Sequence, residues 1–166
     1  MLSRAELNLL NDFSCRELTI FQELRYKLRK SQVESGCVVS RKMHCVVDVH
    51  GFKQSDEKFV LKEFAMVTIG VKTVKHLEFV VKPPYPFEYL LKEHRAANLY
   101  LTRNVHGISW DSGTISYEES RPYIRKLLKN ARTIYVRGSE KRVWLCSLLN
   151  FSVQIVDLMK LDYPRD

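Results

Sequence analysis

The sequence predicts an α/β fold, a mixed sheet in which a three-stranded antiparallel meander leads into α/β units, with helices on the faces of the sheet. Three observations carry this reading. Met43–Val49, Phe59–Ile69 and Val74–Val81 are apolar runs rich in Val and Phe, joined by short polar or glycine-bearing connections. From Phe87 onward, helically spaced stretches alternate with short β-branched runs at 133–136 and 153–157. With 166 residues, 45% of them hydrophobic, the chain is long enough to bury a core without disulfide or metal staples.

Taken in order, residues 1–40 read as a helical extension and 41–166 as the domain proper. Ser3 with Glu6 and Ser14 with Glu17 are capping boxes, so two helices start there. The second carries Leu18, Phe21, Leu24 and Leu28 on one stripe, the candidate interaction helix for a protein partner or a second copy; packing on its own domain is the alternative. A polar connector containing Gly36 leads into the first strand, which Gly51 ends in a turn. Gly70 marks the turn between the second and third strands, and Pro83, Pro84 and Pro86 stop the sheet. Phe87–Ala97 reads as a helix. Ser116 with Glu119 opens another, bearing Ile124, Leu127 and Leu128, with Pro122 in its first turn or kinking it. A short strand follows at Thr133–Val136. Gly138 and Ser139 then cap a helix containing Val143, Leu145, Leu148 and Leu149, and Val153–Asp157 is the last strand.

Composition narrows the function classes. A net charge of +8 favours an anionic partner, nucleic acid foremost. The four cysteines (15, 37, 45 and 146) form no C-x-x-C pair and no zinc spacing, and read as reduced thiols of an intracellular protein, Cys45 and Cys146 in the core. No signal-peptide core and no long apolar run is present, which points away from secretion and from a membrane.

The chemistry concentrates around His44-Cys45-Val46-Val47-Asp48-Val49-His50-Gly51-Phe52, a β-branched run that delivers one carboxylate to the rim of a sheet. Together with Lys62-Glu63-Phe64-Ala65-Met66-Val67, Val105-His106-Gly107-Ile108-Ser109, Ile134-Tyr135-Val136-Arg137-Gly138-Ser139-Glu140-Lys141-Arg142-Val143-Trp144-Leu145 and Val156-Asp157-Leu158, it resembles, in order and spacing over about residues 43–160, the DEDDh family of 3′–5′ exonucleases. The resemblance implies an RNase H-like fold. In that family four carboxylates hold two divalent ions, and a histidine acts as base.

The departures from that pattern carry the functional expectation. Asp48 is kept, but His50 stands where the second carboxylate belongs, Lys141 falls on the position of the second-motif aspartate, and no third motif follows. Two hard cations about 4 Å apart need several anionic oxygen ligands, and a lysine in place of an aspartate changes the local charge by two units. The expectation is a site without metal, cofactor or catalytic residue, whose remnant is Asp48, His50 and Lys141. If Lys141 occupies the lost aspartate position, its ammonium pairs with Asp48; the alternative is a solvated Lys141. A transition metal on Asp48 and His50 lacks further ligands.

Arg125, Lys129, Arg132, Arg137 and Arg142 are candidate nucleic-acid-binding residues if they meet across the old cleft, with Trp110, Tyr117 or Tyr135 to stack bases; solvated helix faces are the alternative. Three readings follow. The first is an inactive exonuclease-like scaffold that binds a protein partner in a nucleic-acid-handling complex. The second is a binder of RNA or single-stranded nucleic acid, with RNA silencing as one setting, and the third an active nuclease.

Overall fold

Buried and half-buried residues alternate along Met43–Lys53, and this segment, β1, lies at the centre of a five-stranded sheet. The computed structural model describes residues 43–54, 58–69 and 75–161. On one side β2 (Phe59–Ile69) pairs antiparallel with β1, and β3 (His76–Val80) antiparallel with β2; on the other, β4 (Ala131–Val136) and β5 (Gln154–Asp157) run parallel, giving the order β3-β2-β1-β4-β5. Helices α1 (Lys92–Leu101), α2 (Tyr117–Leu128) and α3 (Ser139–Leu148) accompany the sheet. The result is an α/β fold with an RNase H-like mixed sheet.

Helix α3 is the crossover that parallel pairing of β4 and β5 requires. The main core joins Val47, Phe64, Phe79, Ile124, Leu128, Ile134 and Leu145; a second cluster joins Phe52, Val60, Leu90 and Trp110. Burying each such side chain contributes about 1.5–3 kcal/mol.

Several elements differ from the sequence-based expectations. β1 does not end at Val49. Gly51 sits inside it, at a register shift after His50, where a Cβ would meet the Val60 carbonyl oxygen at 2.2 Å; the glycine serves close strand approach rather than a turn. The helix expected over 87–97 is instead a 3-10 turn at Phe87–Tyr89 followed by α1. Leu90 and Leu91 are extended between them, because Leu90 leaves the helical path to bury itself against the second cluster. The start of α2 is as expected: Ser116 Oγ accepts from the Glu119 amide at 3.2 Å. Pro122 is its sixth residue, beyond the first turn. The extension over 1–40, its interaction stripe (Leu18, Phe21, Leu24, Leu28), Cys15, Cys37, Gly70 and Val74 lie outside the described residues.

Candidate functional site

Parallel pairing of His44 with Thr133 and Val46 with Tyr135 carries β1 and β4 in step toward one end of the sheet. Asp48 reaches the rim there, and β4 gives way to Gly138, the N-cap of α3. Gly138 has φ 104°, a left-handed conformation that favours glycine, and its amide donates to Asp157 Oδ1 at 2.9 Å. Asp157 Oδ1 also accepts from the Met159 amide at 3.0 Å, so β5 holds the turn that aims the first residues of α3 across the end of β1.

Lys141 lies in that first turn, and its ammonium donates to Asp48 Oδ1. The side chains are 29% and 35% exposed, a pair at the surface rim and not in the deep interior. Asp48 Oδ1 also accepts from the Val49 amide at 2.9 Å. The ion pair expected if Lys141 replaces a lost aspartate is thus present.

His50 projects from the same strand two residues on. Antiparallel register sets it opposite Glu63, and His50 Nδ1 lies 3.0 Å from Glu63 Oε2, with His50 Nε2 3.9 Å from Asp48 Oδ2. The Glu63 carboxylate accepts, which places a proton on Nδ1. His106 completes the group: its ring centroid is 6.0 Å from that of His50 and 5.0 Å from Phe52, and its Nδ1 accepts from the Ile108 amide at 3.1 Å. Burial lowers the His106 pKa, with nearby His50 acting in the same sense; Glu63 and a contact with the Gly51 backbone oppose the shift. Its Nε2 is buried and makes no hydrogen bond of standard geometry.

The donor set does not suit a divalent-ion pair. Asp48 and Glu63 are the carboxylates at hand, His50 stands between them, and an ammonium already holds Asp48. Among the described residues, no group of three or more His, Cys, Asp and Glu side chains is arranged to hold a metal ion. Chemically the site can hold a proton on a carboxylate-oriented imidazole and keep a fixed Lys–Asp pair at the mouth of the sheet.

The basic residues fall into two groups. Arg125 Nε donates to the Leu148 carbonyl at 2.8 Å, tying the C-terminal ends of α2 and α3 together. Lys129 and Arg132 border the start of β4, beside the start of β1. Arg137 follows the far end of β4, and Arg142 Nε donates to the Ile155 carbonyl at 3.3 Å. The five strand steps from Arg132 to Arg137 span about 16 Å at ~3.3 Å per residue, which sets these two residues toward opposite ends of β4. Trp110 is buried at 5% exposure and offers no stacking face, in contrast to the expectation. Cys45 is a core thiol, pushed up to about 12 by burial, whereas Cys146 is exposed on α3. His76 pairs with Glu78 at 3.6 Å, and His44, whose Nδ1 is buried without a partner among the described residues, has its pKa lowered by burial and by Arg132.

Sequence reasoning passed over three residues. Glu63 is found only through the register that places it opposite His50. Lys62 shares the parity of Val60, Phe64 and Met66, so period two alone puts its side chain on the buried face; it is fully buried and donates to the carbonyls of Val81 (2.8 Å), Trp110 and Ser112. Asn98 is buried on α1 and grips the Lys53 backbone with both amide atoms, at 2.9 and 2.8 Å.

No protein-family model matches the chain, and a search of curated proteins finds no matching relative. Among the described residues no helix is long and apolar enough to cross a membrane.

Proposed function

We propose that this chain carries a degenerate DEDDh exonuclease-like domain that no longer performs catalysis and serves as a protein-interaction scaffold in a nucleic-acid-handling complex. The observation that carries the reading is the Lys141 ammonium on Asp48. A metal-dependent nuclease leaves its strand-end carboxylate open to a cation; here a tethered cation takes that place, and it adds one positive charge where an aspartate would add one negative. His50, held by Glu63, is no substitute for a hard oxygen ligand. The scaffold role is supported by Tyr89, Leu91, Tyr100 and Val105, four large apolar side chains at least 60% exposed along one stretch around α1, which a protein partner would cover.

Two assays on the full chain test the proposal. Incubation with 3′-labelled single-stranded RNA and DNA in Mg²⁺ or Mn²⁺ is expected to give no trimming; metal-dependent trimming that Asp48→Ala abolishes contradicts it. Affinity capture is expected to retain a protein partner that a Tyr89→Ser/Tyr100→Ser variant loses. Capture through nucleic acid alone, lost on nuclease treatment, favours the binding-module reading instead.

A further inference from the structure

Between the π-helical turn Thr102–His106 and the Ser116 cap, the chain crosses the open side of the second apolar cluster as a short strap, residues 107–115. Trp110 is its plug. Its ring lies 5.2 Å from Phe52, 5.7 Å from Tyr85 and 5.6 Å from Phe87, and its Nε1 donates to the Tyr85 carbonyl at 3.0 Å.

The latch is polar. Lys62, reaching from β2, donates to the carbonyls of Trp110 and Ser112 on the strap and to Val81 at the end of β3. Both flanks of the strap carry glycines at positive φ. Gly107 (72°) has open space where a Cβ would stand; Gly113 (141°) lies so close to the Val81–Lys82 backbone that a Cβ would meet the Lys82 amide nitrogen at 2.4 Å. Beyond Gly113 the strap is pinned by the Thr114 and Ile115 amides, which donate to the Val80 carbonyl at 2.8 and 3.3 Å.

The closed strap keeps polar groups away from water. Lys62 is buried, and among the described residues no carboxylate accepts from its ammonium, Asp111 being the charged group that acts on it from the strap; burial pulls its pKa down to about 8. The Tyr85 hydroxyl is buried without a hydrogen-bond partner among the described residues. A buried hydroxyl left unpaired is costly, and hydration on opening relieves it, whereas the three carbonyl acceptors of Lys62 hold the strap closed. What opposes opening is the Trp110 indole face, the Lys62 latch, Ile115 packed on the main core, and the backbone hydrogen bonds that join Ile115 to Val80 and Lys82.

We infer that residues 107–115 are a cover, latched by Lys62, which opens as a unit and uncovers the Phe52–Tyr85–Phe87 recess beside His50 and His106 while the sheet stays folded.

Native-state hydrogen exchange on the unmodified chain tests this directly. The amides of Ser112, Thr114 and Ile115, all hydrogen-bonded, are expected to exchange at least tenfold faster than those of Val47 and Phe64, through an opening that leaves the sheet intact; exchange in step with the core overturns the proposal. In a Trp144→Phe background, which leaves Trp110 as the only indole, Lys62→Met is expected to raise acrylamide quenching severalfold with the far-ultraviolet dichroism kept. Unchanged quenching overturns the latch. Should Lys62→Met fail to fold, Gly113→Ala frees the same strap from its other anchor and is expected to give the same rise.

Discussion

Removing the Lys141 ammonium isolates the interaction on which the functional reading rests. Two unit charges 4 Å apart attract by about 4 kcal/mol at an effective dielectric constant near 20. Both partners keep roughly a third of their side-chain surface in water, so solvent screening and side-chain ordering remove most of that gain. Values for exposed pairs lie near 0–1 kcal/mol, whereas breaking a buried pair costs 3–5 kcal/mol; a coupling energy of about 1–2 kcal/mol is expected here. The assay is a double-mutant cycle with Asp48→Asn, Lys141→Met and the double variant, each unfolded in urea at low salt and again at 1 M NaCl. Asparagine preserves the acceptor for the Val49 amide, so the cycle reports the ion pair and not the turn. Coupling is expected to fall by about half at high salt. A coupling below about 0.3 kcal/mol, within the error of additivity for independent sites, would refute the account of Lys141 as the counter-ion of Asp48.

Three further perturbations follow from the geometry. Gly51→Ala places a Cβ against the Val60 carbonyl and the Phe59 ring, at 2.2 and 2.4 Å, and overpacking of this kind costs about 1–3 kcal/mol; a thermal melt lowered by several degrees is the expected reading. Asn98→Ala strips two hydrogen bonds from the Lys53 backbone and is expected to cost about 2–4 kcal/mol, with Lys53 losing its exchange protection. His106, like His44, has a folded-state pKa below its unfolded value, so the unfolded chain binds the proton more readily. Stability is therefore full above the ordinary imidazole range and falls as the pH drops through 6.5; urea midpoints between pH 7.5 and 5 check this, and His106→Gln is expected to flatten the slope.

The sheet was largely legible because its strands state their burial in their own spelling. Phe59–Ile69 is bounded by turn residues and matches β2 residue for residue, and Ser116 with Glu119 located the start of α2. Where tertiary contacts override local pattern, the reading failed. Leu90 fits a helical stripe with Phe87 and His94, yet burial against Phe52 and Trp110 pulls it out of the helix. Gly51 spells a turn, but its lack of a Cβ serves the neighbouring strand. At the site, the Asp48–Lys141 contact could be argued because the family resemblance sets Lys141 on the position of a lost aspartate, and a carboxylate at a strand end needs a counter-charge. Glu63 could not, since it depends on a register that spacing alone leaves open. The placing of the basic residues is hidden for a related reason. Charge is visible in sequence, but the direction in which a helix returns along the sheet decides which end each residue occupies, and Arg125 returns to the end away from Asp48.

Titration of the unmodified chain with Mn²⁺, followed by isothermal calorimetry and by the loss of the free-ion electron paramagnetic resonance signal, tests the central claim most directly. With Lys141 holding Asp48, no saturable binding is expected up to millimolar ion. Stoichiometric binding of one or two ions, lost in Asp48→Ala, would contradict the account.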